Sequence, residues 1–177
     1  MRKFSKKNIK VGILGGTFDP PHIGHLHISN IAIRKLGLNK LMWLITKQNP
    51  LKQKPYLSIK IRIQLSKDIL KNQKKISVKY LDHVVKSRNT FDLLNYLKKN
   101  NKKIKLFFLI GSDNLVNLHK WNKWKKIPEL AKIVVFARSN YSTKALNSIA
   151  SKKLKKKDWL YINSKKMNIS SSLIRKF

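Results

Sequence analysis

The sequence predicts an α/β fold in which a mostly parallel sheet is covered by helices on both faces. Short apolar runs rich in β-branched and aromatic residues recur along the chain of 177 residues. Amphipathic stretches of about 10 to 15 residues separate these runs, which is the alternation typical of βαβ units. Strands joined in this way run parallel and are buried on both faces. The chain also has the length of one domain, and no linker or internal repeat divides it.

Six apolar runs are the candidate strands, and in chain order they are residues 10–14, 41–46, 76–80, 105–110, 133–137 and 159–163. The first run follows the basic start "MRKFSKK". We interpret this start as leading into a strand and not as a signal peptide, because the apolar part is short and lacks a small-residue cleavage site.

The stretches between the candidate strands predict helices at residues 24–36, 58–72 and 90–99, a short one near 122–130, and another at 142–155. Gly37 is expected to end the first helix, since glycine readily takes the left-handed conformation found after a helix. A last helix is expected to begin within residues 170–172, where consecutive serines offer N-caps. Together the elements predict a Rossmann-like, doubly wound sheet forming a single domain over residues 1–177.

The composition excludes several classes of protein. No apolar run approaches the roughly 18 residues that a membrane span needs. The absence of cysteine excludes a disulfide framework and a thiolate metal site, and a cytoplasmic location is the default expectation. The formal charge is +34, from 41 Lys and Arg against 7 Asp and Glu. This charge indicates either a phosphate-rich partner or a lysine-rich compositional bias spread over the chain, and we favour the bias.

The stretch "GILGGTFDPPHIGHLHI" places the most informative residues directly after the first strand. In a parallel sheet, ligands bind where the carboxyl ends of strands meet helix N-termini. Gly15 and Gly16 allow a ligand to approach the backbone, although a tight turn is the simpler interpretation. His22 and His25 share one side of the first helical turn, where a phosphate suits their N–H donors better than a metal without a third ligand. A purely structural histidine pair is the alternative.

"GGTFDPPHIGH" resembles the G-x-F-D-P-x-H-x-G-H motif of the HxGH nucleotidyltransferase superfamily, and "ISSSLIR" resembles its second motif, I-S-S-T-x-I-R. Between them, "NPLK", "NTFDLL", "FFLIGSDNLVNLHKWNKW" and "IVVFAR" are similar to successive motifs of bacterial nicotinate-nucleotide adenylyltransferases. The resemblance covers residues 9 to 177. It implies transfer of AMP from ATP, with Mg²⁺, to nicotinate mononucleotide, giving deamido-NAD and pyrophosphate. No protein ligands for a metal are expected.

The resemblance also implies roles for particular residues. His22, His25 and Arg175 would act on the ATP phosphates in catalysis. The other residues expected to bind ATP are Gly15, Gly16, Thr17, Phe18, Gly111, Asp113, Arg138, Ser170, Ser171 and Ser172. Lys52, Thr90 and Trp121 would bind the mononucleotide, with the Trp121 ring stacking on the pyridine ring. Trp124 is the alternative for that stacking role.

The chain departs from the family pattern in three places. Residues 88–94 replace S-Y-T-x-x-T-L and lack its second threonine, "RSNYS" replaces R-P-G-Y, and the family's usual segment after I-R is expected to be absent. Sister enzymes such as phosphopantetheine adenylyltransferase are therefore alternatives. So is a class I aminoacyl-tRNA synthetase fragment, because "HIGH" at residues 22–25 is also that family's motif. A basic nucleic-acid-binding domain is the alternative from another class.

Overall fold

Six parallel strands form one sheet in the computed structural model, which describes residues 9–49, 51, 53–163 and 171–175. The strands are β1 (Ile9–Gly16), β2 (Lys40–Ile45), β3 (Ile76–Tyr80), β4 (Ile104–Gly111), β5 (Ala131–Phe136) and β6 (Trp159–Ile162). Their order across the sheet is β3-β2-β1-β4-β5-β6, and each neighbouring pair is parallel. This is the doubly wound order, so the predicted fold class is confirmed.

The described α-helices are α1 (Ile23–Leu36), α2 (Ile59–Ile69), α3 (Asp82–Val85), α4 (Thr90–Asn100), α5 (Ser112–Asn117), α6 (Ile127–Leu130), α7 (Ser142–Leu146), α8 (Ile149–Lys153) and α9 (Ser171–Ile174). Gly37 ends α1 in the left-handed conformation with φ 60°, as predicted. None of the helices in the described ranges is long and apolar enough to cross a membrane.

The structure corrects the predicted helix at residues 142–155, which is two short helices. Ser148 has extended backbone, and its Oγ accepts a hydrogen bond from the Ser151 N–H at 3.2 Å, so it begins α8 anew. The helix predicted near 122–130 is a 3-10 turn (Trp124–Lys126) followed by α6. Helices α3 and α5 were not predicted, because four and six residues are too few to show a helical period.

Hydrophobic cores lie on both faces of the sheet, because successive strand side chains point to opposite faces. Leu106, Phe108 and Ile110 of β4 pack in the core that includes the buried leucines of α4 and the buried leucine of α5, the helix that follows β4. Phe107 and Leu109 pack in the opposite core, which includes the buried face of α1. Helices therefore leave β1 and β4 toward opposite faces, and the neighbouring carboxyl ends of these two strands face an opening.

Candidate functional site

A cavity of about 550 Å³ lies at the carboxyl ends of β1 and β4. Its wall includes most of the residues that the sequence singled out, namely Gly15, Gly16, Thr17, Phe18, His25, Thr90, Gly111, Trp121, Arg138, Ser171, Ser172 and Arg175. His22 and Asp113 are not on the wall but contact residues that are. Lys52 and Ser170 lie outside the described residues. The structure thus brings together segments from along the whole described chain.

The two glycines are the last residues of β1 and not part of a turn. Gly15 and Gly16 pair in register with Leu44 and Ile45 of β2. The turn begins after them, where Phe18 takes a positive φ of 50°. The Phe18 ring is buried, with its centroid 4.7 Å from the His25 ring and 5.0 Å from the Trp43 ring. This packing fixes the backbone of the turn against the start of α1.

His22 and His25 form a capping box at the N-terminus of α1. The Nδ1 atom of His22 accepts a hydrogen bond from the Gly24 N–H at 3.1 Å, and the Nδ1 atom of His25 accepts one from the His22 N–H at 3.2 Å. Because Nδ1 accepts in both rings, each neutral ring carries its proton on Nε2. The ring centroids are 3.8 Å apart. The helix cap therefore fixes one tautomer for a pair of adjacent imidazoles.

The surroundings of His22 keep its ring neutral. The residue is only 6% exposed, and its Nε2 atom is buried with no hydrogen-bond partner within the described residues. Burial, and secondarily the positive charge of Arg138, lowers the pKa of His22 to about 4. A buried N–H donor without a partner is costly, and the burial of this atom therefore favours the neutral ring.

Arg138 reaches the cavity wall from the segment after β5, supported by the segment after β4. Its backbone N–H donates to the Ser112 Oγ at 2.9 Å, and its Nη1 lies 3.4 Å from the Asp113 Oδ2. A Cβ atom at Gly111 would stand 2.3 Å from the Asp113 Oδ1 and 2.9 Å from the Arg138 Nε, so a larger residue here would displace these two side chains. Ser112 and Asp113 therefore orient Arg138, while Asp113 itself is set back from the wall.

Helix α9 docks on the turn that precedes α1. The Ser171 Oγ donates to the Pro20 carbonyl oxygen at 2.8 Å. Arg175 Nη1 donates to the carbonyl oxygen of Asp19 and lies 3.6 Å from its Oδ2. The guanidinium also lies 5.1 Å from the centroid of the Tyr56 ring. The serine-rich motif and the histidine motif consequently meet at one end of the cavity.

Thr90 and Trp121 lie on the cavity wall contributed by α4 and by the segment after β4. Thr90 is the first residue of α4, and the Trp121 ring contacts Phe108 edge-on with centroids 6.1 Å apart. Trp124, the alternative for stacking, packs against the core and is not on the wall. Leu93, at the place of the family's second threonine, is buried at the wall.

Sequence reasoning missed several wall residues, among them Asp19, Tyr56 and Asn114. Both Asp19 carboxylate oxygens accept from the β2–α2 loop (residues 46–58), at 2.8 Å from the Tyr56 N–H and 2.9 Å from the Leu57 N–H. Asp19 stands inside the "TFDPPH" part of the quoted motif, and it is the only carboxylate among the first 60 residues, so it was a usable signal. Tyr56 carries no such signal, because its place depends on how the loop folds back.

The chain matches the cytidylyltransferase-like family model over residues 13–177. A probable nicotinate-nucleotide adenylyltransferase of Pelagibacter ubique is 46% identical over 172 residues, covering 97% of this chain and 95% of that protein. A protein of the same description from Mesorhizobium japonicum is 32% identical over 189 residues, covering 97% of this chain and 96% of that protein.

Solved structures show the same fold. The nicotinic acid mononucleotide adenylyltransferase of Plasmodium falciparum, complexed with NaAD, superposes with a TM-score of 0.78 at 21% identity. The match covers 96% of this chain and 83% of that one. At this identity the likeness concerns the fold alone, whereas the sequence relatives extend along nearly the whole chain. The chain belongs to the cytidylyltransferase-like family and, within it, to the nicotinate-nucleotide adenylyltransferases.

Proposed function

We propose that this chain transfers the AMP group of ATP to nicotinate mononucleotide, forming deamido-NAD and releasing pyrophosphate. The observation that carries the proposal is the contact between α9 and the turn before α1. In this contact the Ser171 hydroxyl donates a hydrogen bond to the Pro20 carbonyl oxygen. This contact brings together the two motifs to which we assign the ATP phosphates, about 150 residues apart. They lie at one end of a cavity whose other wall carries Thr90 and Trp121. The identity to described nicotinate-nucleotide adenylyltransferases supports the choice of substrates.

The reaction is a single displacement at the α-phosphorus of ATP. An oxygen of the mononucleotide phosphate forms a bond to the α-phosphorus. At the same time the bond between the α-phosphorus and the oxygen that bridges it to the β-phosphate breaks. The electron pair of the broken bond leaves with pyrophosphate. Because the attacking phosphate is already an anion, no general base is needed. The protein contributes positioning and charge stabilisation, which are the principal demands of phosphoryl-type transfer.

At the phosphate end, we assign His22 and His25 as neutral N–H donors to the ATP phosphates, where charge builds on the leaving pyrophosphate. The serines of 170–172 and Arg175 would hold the β- and γ-phosphates. Arg175 has five N–H donors, and its described contacts to Asp19 and Ser172 occupy only some of them. Residues 15–18, together with Gly111 and Arg138, would hold the rest of the ATP molecule. Asp113, which is set back from the wall, would contribute by orienting Arg138.

At the other end, we assign Lys52, Thr90 and Trp121 to the mononucleotide. The half-buried Trp121 ring offers a flat face to a pyridinium that carries positive charge, an attractive arrangement for an electron-rich ring. Lys52 belongs to the β2–α2 loop in sequence, and its ammonium group would meet the phosphate of the mononucleotide.

Mg²⁺ enters this proposal as part of the MgATP substrate. The described residues contain no group of three or more His, Cys, Asp or Glu side chains arranged to hold a metal ion. Mg²⁺ in nucleotide sites commonly keeps several waters and binds substrate phosphates with few protein ligands. When bound, the ion neutralises part of the phosphate charge, and the residues above orient the phosphates that hold it.

We further propose that residues 1–177 act as one nucleotidyltransferase domain in the cytoplasm, with the two nucleotides as partners and no specific nucleic acid. The relatives described as nicotinate-nucleotide adenylyltransferases align along nearly the whole chain, which supports a single domain.

The test is pyrophosphate release from ATP and Mg²⁺ with three acceptors in parallel: nicotinate mononucleotide, nicotinamide mononucleotide and phosphopantetheine. We expect release with nicotinate mononucleotide to be at least about tenfold faster than with either other acceptor, a difference of about 1.4 kcal/mol in the barrier. Release with phosphopantetheine alone would contradict the assignment of Thr90 and Trp121. No release with any of the three would contradict the proposed function.

A further inference from the structure

Arg62 of α2 is a buried cation that the adenylyl transfer described above does not use. It is 2% exposed and is not on the cavity wall. No carboxylate of the described residues forms an ion pair with it, since the pairs there involve Arg138 and Arg175. Arginine is rarely buried this completely, because removing its charge from water is costly. Asp19 and Asp82 are near enough to stabilise the charge without forming an ion pair with it. The position of Arg62 therefore calls for an explanation beyond ordinary packing.

Four backbone carbonyl oxygens surround the Arg62 guanidinium. The Nε donates to Leu57 at 3.0 Å, and Nη2 donates to Lys47 at 2.9 Å. The Nη1 donates to two carbonyls, those of Thr17 at 2.6 Å and Thr46 at 2.9 Å. Four of the five N–H donors of the side chain are thus used on three separate segments. A lysine, with three donors on one atom, cannot reproduce this fork.

The three segments are the ones that frame the cavity. Thr17 belongs to the turn after β1, and the other carbonyls stand at the start and at the end of the β2–α2 loop. Thr17 and Thr46 lie on the cavity wall, as do described residues of that loop such as Gln53 and Tyr56. One buried side chain therefore fixes the distance between the two ends of the loop and the turn that precedes α1.

Two buried aspartates accept hydrogen bonds from backbone N–H groups at the same two ends of the loop. The Asp82 Oδ2 accepts from the Lys47 N–H and from the Thr46 hydroxyl, both at 2.8 Å. The Asp19 carboxylate accepts from the Leu57 N–H, as described above. At each end of the loop, Arg62 holds a carbonyl and an aspartate holds an N–H. We call Arg62, Asp19 and Asp82 the loop clasp.

We infer that Arg62 is a positioning residue, which through the loop clasp sets the β2–α2 loop at the distance needed to hold the mononucleotide against ATP. The identity of the mononucleotide rests on the proposed function. Arg62 itself contacts neither nucleotide. Loosening the clasp is expected to weaken mononucleotide use more than ATP use, because Lys52, which we assign to the mononucleotide, belongs to this loop in sequence.

The test compares Arg62→Lys and Asp82→Ala with Ser66→Ala as the matched control. Ser66 is fully buried on the same helix, and its Oγ donates to the Arg62 carbonyl oxygen at 2.7 Å, so the control loses a buried hydrogen bond without touching the loop. Amide hydrogen exchange over residues 46–57 is measured first. We expect exchange about tenfold faster in both clasp variants than in wild type, and unchanged in the control.

Steady-state kinetics provide the second readout. In Arg62→Lys, kcat/KM for the mononucleotide is expected to fall by about 100-fold, mostly through KM, with a smaller effect when ATP is varied. Exchange and kinetics that match the Ser66→Ala control would overturn the inference. If Arg62→Lys does not fold, Asp82→Ala, which removes the acceptor at the start of the loop, decides the question in the same way. If wild type forms no deamido-NAD, the proposed function fails, and the exchange measurement still decides whether the clasp holds the loop.

Discussion

At His22 and His25, the hydrogen bonds that begin α1 also set the chemistry of the two rings. Each Nδ1 atom accepts from a backbone N–H, so each neutral ring has its proton on Nε2. A helix N-terminus favours negative charge through its dipole and its unpaired N–H groups. Neutral imidazole donors at this place are therefore suited to phosphate, and they need no protonation to act.

Replacing His25 by alanine is expected to lower kcat by about 100-fold or more, because one donor to the phosphates is lost. It also removes one half of the capping box, so the free energy of unfolding falls by about 1 kcal/mol. Both quantities are measured, by steady-state kinetics and by urea unfolding. Ser148→Ala is the control, since it removes the N-cap of α8 away from the cavity. A kcat for His25→Ala close to that of Ser148→Ala would remove His25 from the chemistry.

The depressed pKa of His22 makes a prediction about stability in acid. In the unfolded chain the ring binds a proton near its ordinary pKa of 6.5, whereas in the folded protein it does so only at about 4. The unfolded state thus binds more protons between these values, and the contribution of His22 to stability decreases as pH falls from 6.5 toward 4. The loss amounts to about 3 kcal/mol.

The measurement is the free energy of unfolding at pH 7, 6, 5 and 4 for wild type and His22→Asn. Asparagine is a good N-cap and does not titrate, so the variant is expected to keep the helix start and lose this part of the acid dependence. Equal acid dependence in the two proteins would show that His22 is not held neutral by the fold.

Among single residues, the sequence identified those that belong to a contiguous motif and missed those that act through backbone groups. The structure places His25 and Trp121 at the cavity, and Trp124 against the core away from the cavity wall. Arg62 and Tyr56 were not identified, because their partners come from segments that are distant in sequence. Arg62 donates to carbonyl oxygens such as that of Thr17, and the Tyr56 ring contacts Arg175. No local pattern reports such partners.

At the scale of elements, the segment between β4 and β5 contains two tryptophans, three residues apart, and places them in different surroundings. Both pack against the same core, but only Trp121 is on the cavity wall. Trp121→Leu is expected to raise KM for nicotinate mononucleotide by about tenfold with little change in KM for ATP, because a stacking face is lost.

Trp124→Leu is the matched comparison for this prediction. It should lower stability by a similar amount through lost core packing, while KM for the mononucleotide stays near the wild-type value. A larger effect of Trp124→Leu on that KM would mean that the pyridine ring stacks elsewhere.

The elements themselves were largely predictable where they are long. Each predicted strand is found within two residues of its expected bounds, since buried parallel strands are near-continuous apolar runs. The prediction of one helix over residues 142–155 was wrong. In the sequence Ser148 looks like a serine within a helix, whereas in the fold it is the N-cap of α8. Short helices such as α5 gave too few residues for a pattern.

At the scale of the whole molecule, the parallel sheet converts sequence order into a shared site. The expectation that motif-bearing loops meet at one rim follows from strand direction alone, and the cavity contains residues from both motifs. What the sequence did not provide is how α9 sits. Arg175 takes both the carbonyl and the carboxylate of Asp19 as partners, a detail of tertiary packing.

The measurement that tests the account most directly is a double-mutant cycle between His25 and Arg175, one from each motif, read in kcat/KM for ATP. We expect each alanine variant to lose about 100-fold, and the double variant to lose far less than the product of the two. Groups that stabilise the same phosphates act as a unit and are not additive. Losses that simply multiply, or a single variant with near wild-type activity, would contradict the claim that the two motifs form one adenylyl-transfer site.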